Sequence, residues 1–140
     1  MKLLKIIVLL FIGINLAGCE AIQKATNSTG SAFSLTGKWT LKSNTPDNVL
    51  VGSVVTVTPL LSEGRLTTMT GTGNCFRQND VLWKSIASDS QGGFTISNLV
   101  SGCSGLNFQP ANIYVVNANE IRVTGKNASG QELTQVWQRG

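Results

Sequence analysis

The sequence predicts an all-β domain: a small eight-stranded antiparallel up-and-down barrel, with a β-sandwich as the runner-up. Three observations lead there. From Leu35 onward the apolar residues recur with a period of two. Segments rich in Val, Ile, Thr and aromatics alternate with short clusters of Gly, Asn, Asp and Ser. Eight such segments follow one another before Gly140, and closing them into a barrel leaves no free strand edge. Nowhere in this stretch does an amphipathic helical period show.

Each segment has its own pattern. The first, 37–43, sets Trp39 and Leu41 against Lys38, Thr40 and Lys42. The second, 50–58, carries Val55 and Val57, and the third, 65–71, carries Leu66. In the fourth, 80–87, the inward face is open between Trp83 and the pair Leu82 and Ile86. The fifth, 92–99, alternates Phe94, Ile96 and Asn98 with Thr95 and Ser97. The sixth, 111–117, has Ile113 and Val115; the seventh, 120–126, sets Ile121 and Val123 against Arg122 and Thr124. The eighth, 131–139, holds Trp137. Ser62-Glu63-Gly64, Asp89–Gly93, Ala118-Asn119 and Asn127–Gly130 are short enough for hairpin turns.

The N-terminus reads differently. Lys2 and Lys5 precede the apolar run Ile6–Ile12, and small residues lead to Cys19. A basic start, a short apolar core and a small-residue exit predict a secretory signal peptide over 1–18. The run is shorter than the roughly twenty apolar residues of a membrane span. Leu16-Ala17-Gly18-Cys19 resembles the bacterial lipobox at every position. The resemblance implies diacylglyceryl transfer to the Cys19 sulfur, cleavage before Cys19 and acylation of its new amine. Glu20 is not the Asp that marks inner-membrane retention in enterobacterial lipoproteins, so the expected location is the cell envelope, at the outer membrane. Residues 19–34 are the lipidated cysteine and a small, polar tether; about fifteen such residues reach about 20 Å. The domain is then 35–140.

Removing Lys2 and Lys5 halves the formal charge of +4, and no basic cluster remains. A nucleic-acid partner would need a phosphate-neutralising patch, so none is expected. The chain has no histidine, which excludes Ser-His-Asp triads, Cys-His pairs and imidazole metal sites. Asp47, Glu63, Asp80, Asp89, Glu120 and Glu132 fall in loops, turns and strand starts, not as a facing pair. Gly71-Thr72-Gly73-Asn74 is glycine-rich, but no helix follows to cradle a phosphate. We therefore expect no catalytic residue, metal or cofactor.

With Cys19 lipidated, Cys75 and Cys103 are left as a pair, and an exported domain uses such a pair as a disulfide. The two are equidistant from Asp89, so the bond would staple the open end of the hairpin formed by 80–87 and 92–99. It would contribute roughly 3 kcal/mol in the chain-entropy model.

Gly37-Lys38-Trp39 at the first strand and Trp137-Gln138-Arg139 at the last resemble the lipocalin (calycin) signature. The other internal motifs of that family are not evident. The resemblance implies that Trp39 plugs the closed end of the barrel and that Arg139 crosses over its indole, with Gly37 opening the strand. A guanidinium over an indole adds about 0.5–2 kcal/mol.

An eight-stranded barrel is either filled by its own side chains or just wide enough for one small ligand. The first functional expectation is a membrane-anchored, non-catalytic binding module for a small apolar or amphipathic ligand. Its lining would come from Leu41, Val55, Leu66, Phe94, Ile96, Val115, Val123 and Trp137. The second is an envelope interaction, scaffold or inhibitor protein with a packed interior. It would act through the disulfide-braced loops 72–79 and 100–110, which contain Leu106 and where Phe76, Arg77 and Phe108 form the candidate rim.

Overall fold

The computed structural model describes residues 33–140. The signal peptide at 1–18, the lipidation site at Cys19 and the tether as far as residue 32 lie outside the described residues. Eight strands close into one antiparallel barrel in sequence order. They are β1 Gly37–Thr45, β2 Val54–Thr58, β3 Glu63–Thr68, β4 Val81–Ser88, β5 Phe94–Ser101, β6 Asn107–Asn117, β7 Glu120–Lys126 and β8 Glu132–Arg139. Closure comes from β1 and β8, where Trp39 pairs with Arg139 and Leu41 with Trp137. The sandwich is therefore excluded.

Several boundaries move, each for a local reason. Phe33 and Ser34 belong to the barrel, not to the tether. The Phe33 ring packs 6.0 Å from Trp39 and 6.3 Å from Phe94, and burying an aromatic ring outweighs the polar character of its neighbours. β2 begins four residues late, because Leu50 and Gly52 take φ of 65° and 89° and turn the chain. The turn is held by the Gly52 N–H donating to the Leu41 carbonyl at 2.8 Å. β3 stops at Thr68, and 69–80 is a long loop in which Gly71, Asn74 and Cys75 have positive φ. β6 starts at Asn107, earlier than its apolar pattern suggests, by pairing with the far end of β5.

The interior follows the period-two pattern. Trp39, Leu41, Val55, Leu66, Ile113, Ile121, Val123 and Trp137 are fully buried. Trp83 is the inward tryptophan of β4, but Leu82 is buried too. The ladder between β3 and β4 slips at Gly64 and Arg65, so this strand does not alternate cleanly. Trp83 meets Trp137 edge-on at 5.0 Å. Space for it exists because residue 64 is glycine: a Cβ there would lie 2.8 Å from the Trp83 ring and 2.9 Å from Val55.

Candidate functional site

The strand directions give the barrel two unlike ends. One end holds the chain entry at Phe33, the turns at 59–62, 89–93 and 118–119, and the C-terminus. The other carries the long connections 46–53, 69–80, 102–106 and 127–131.

The entry end is plugged. Trp39 is completely buried, and its Nε1 donates to the Leu35 carbonyl at 2.8 Å. The Arg139 guanidinium lies 4.3 Å from the Trp39 ring centroid and 5.4 Å from that of Phe33. It donates to the carbonyls of Ser34, Thr36 and Ala118 at 2.7, 2.8 and 3.1 Å. One side chain thus ties the entering chain, the first strand and the β6–β7 turn together. Gly37 is needed for this approach: its φ is 122°, and a Cβ would stand 3.2 Å from the Arg139 Nη1.

The loop end is braced by the Cys75–Cys103 disulfide, whose loop separation is 28 residues. The bond lies at the open end of the β4–β5 hairpin, as its spacing predicts. β4 and β5 do pair about a turn capped by Asp89, whose Oδ1 accepts from the Gln91 and Gly93 amides at 2.8 Å. Cys75, however, lies in the β3–β4 loop and not on an extension of β4. The disulfide clips that loop to the β5–β6 loop. The Gly102 N–H adds a bond to the Asn74 carbonyl at 2.8 Å.

The candidate lining residues are inside, and all but Val115 pack in or against one hydrophobic core. Leu41, Val55, Leu66, Val123 and Trp137 are fully buried and Ile96 nearly so; Phe94 and Val115 are half-buried near the entry end. The interior cavity at the loop end measures about 20 Å³ and lies among Asn44, Leu50, Phe76, Leu82, Asn98 and Gln135. That is room for about one water. Two acceptors on its wall, Asn44 Oδ1 and Asn98 Oδ1, are buried and have no partner among the described residues. The Asn44 amide is committed elsewhere, donating to the Val49 carbonyl at 2.7 Å. The period-two pattern already sets Asn98 on the face of Phe94 and Ile96; the member of this layer that sequence reasoning missed is Asn44, which lies just past the predicted end of the first strand.

The rim keeps Arg77 and Leu106 exposed but not its two phenylalanines. Phe76 is half-buried and packs on the core, closing the cavity. Phe108 is on β6, half-buried, with the Lys84 ammonium 3.7 Å from its ring centroid. Neither is an exposed loop aromatic, since burial against the core returns more than exposure. What the loops do expose is Leu106, Arg77 and the disulfide itself, around an open cleft of about 410 Å³ that also includes Asp80. Arg77 and Asp80 are joined through the backbone, the Arg77 N–H donating to the Asp80 carboxylate at 2.8 Å.

Asn127, which sits in a glycosylation-like triplet, is buried, and its amide donates to Asp47 at 2.9 Å. That amide pins the β7–β8 turn to the β1–β2 loop. Among the described residues, no three Cys, Asp or Glu side chains gather as metal ligands would. No protein-family model, curated protein or solved structure matches this chain.

Proposed function

We propose that the protein is a lipid-anchored, non-catalytic protein of the bacterial envelope, whose barrel is a rigid scaffold for its disulfide-braced loops. The observation that carries this reading is the filled interior. Small-molecule sites commonly enclose about 300–1,000 Å³, against about 20 Å³ here. The same number counts against carriage of an apolar ligand within the barrel. The lipobox-like Leu16–Cys19 supports the anchor at the outer membrane. The stacking of Arg139 on Trp39 in a closed eight-stranded barrel supports kinship with small lipocalin-like domains.

The partner contact is assigned to the exposed cleft around Cys75, Arg77, Cys103 and Leu106. Its mixed character, one leucine and one guanidinium beside a rigid disulfide, suits a protein surface. Native mass spectrometry of the protein from its own host tests the reading. The expected result is an acylated chain in a stoichiometric protein complex that Arg77→Glu with Leu106→Asp dissolves. A lipid or small molecule retained by the barrel would overturn it.

A further inference from the structure

Among the described residues, four of the five exposed large hydrophobics lie at the entry end of the barrel. β1 begins there with Gly37, which pairs with Val57. The chain then turns through Pro59-Leu60-Leu61-Ser62, where Leu60 is 94% and Leu61 58% exposed. Across the barrel, β6 finishes at the same end with Tyr114 and Val116 exposed. Among the described residues, the remaining large exposed hydrophobic is Leu106, at the loop end. The neighbouring turns, Ser90-Gln91-Gly92 and Ala118-Asn119, are small or polar. The apolar surface is therefore concentrated on the leucine pair.

Isolated exposed leucines are ordinary, but an adjacent pair at a hairpin tip calls for something to cover it. The sequence before the barrel says what. Phe33 enters at this end, and Cys19 precedes it by only fourteen residues. An ideal random coil of that length would reach about 20 Å. With a lipid on Cys19, the chain would run from the membrane to the entry end, while the other end lies roughly 20 Å further along the barrel axis, since strands of eight residues span about 25 Å and tilt by about 35–45°.

We propose that Leu60 and Leu61 insert into the bilayer interface as a second membrane contact. The barrel then stands on its entry end, with the disulfide-braced loops turned away from the lipid. Tyr114 suits the headgroup level, where an amphipathic ring is favoured. Arg122, its cross-strand partner, offers a guanidinium to lipid phosphate. A lipid chain plus a protein-borne apolar contact is the two-signal arrangement that stabilises peripheral attachment. The inference rests on the reading of Cys19 as the anchor.

The test uses the full acylated protein in vesicles of phosphatidylethanolamine and phosphatidylglycerol. A nitroxide is attached at Ser62→Cys, which leaves both leucines in place; a reference label is attached at Ala128→Cys, in the β7–β8 turn of the opposite end. The expected result is a label at 62 at least fivefold less accessible to an aqueous nickel chelate than the label at 128, and more accessible to oxygen. Adding Leu60→Asp and Leu61→Asp should abolish that shielding while the protein stays on the vesicles. Equal nickel access at both positions in vesicle-bound protein would overturn the proposal. So would shielding that persists without vesicles, which would assign the leucines to a protein partner. Intact mass reports separately on the anchor: an unacylated Cys19 would sink that reading and this one with it, whereas an acylated chain with a water-exposed label sinks only the leucine contact.

Discussion

Arg139 covers Trp39, its guanidinium carbon 4.3 Å from the indole centroid, while its nitrogens hold three backbone carbonyls. The residues come from the two strands that close the barrel, and Trp39 pairs with Arg139 directly. The contact is therefore a closure device as well as a plug. Trp39→Ala should cost about 3–5 kcal/mol, as large core truncations do. A loss below about 1 kcal/mol in denaturant unfolding would contradict the plug. Within a double-mutant cycle, Trp39→Leu with Arg139→Gln should show a coupling of about 0.5–2 kcal/mol.

Gly64 makes the room that Trp83 occupies. Gly64→Ala should destabilise the barrel by about 1–3 kcal/mol, because its Cβ meets two side chains that cannot retreat. Combining it with Val55→Ala should recover part of that loss. An additive result in urea unfolding would show that Val55 is not what the new methyl strikes.

The disulfide spans 28 residues and joins two loops of the same end. Cys75→Ser with Cys103→Ser should lower stability by about 3 kcal/mol. The barrel should still close, because its ladder does not include Cys75. Hydrogen exchange should quicken in 69–80 and 102–106 and stay slow in β7 and β8. Exchange that quickened throughout would mean that the bond holds the barrel and not only its loops.

Asn98 carries a buried acceptor with no partner among the described residues. Leaving such a group unmatched costs about 1–3 kcal/mol. Asn98→Val should therefore leave thermal stability unchanged or raise it. A fall of more than about 1 kcal/mol would show that the amide is satisfied in solution, by water in the cavity beside it.

The sequence by itself determined the strand count, their order and most of the inward-facing residues, the fourth strand excepted. Those features follow from period-two alternation and short turns, which act locally. The turn at Asp89–Gly93 and the pairing of Cys75 with Cys103 were also legible, because few alternatives remained; that Asp89 caps the turn was not. The length and path of the loop at 69–80 were not: it forms through residues with positive φ, a backbone choice that hydropathy does not report. Phe33, Phe76 and Phe108 were misplaced for a related reason. An aromatic in a polar stretch is buried or exposed according to which surface lies within reach, and only the folded barrel supplies that surface. Whether the interior holds a ligand was likewise a tertiary matter. The same alternation suits an empty barrel and a full one; the tertiary structure adds that Gly64 leaves room for Trp83, which meets Trp137 edge-on inside the barrel.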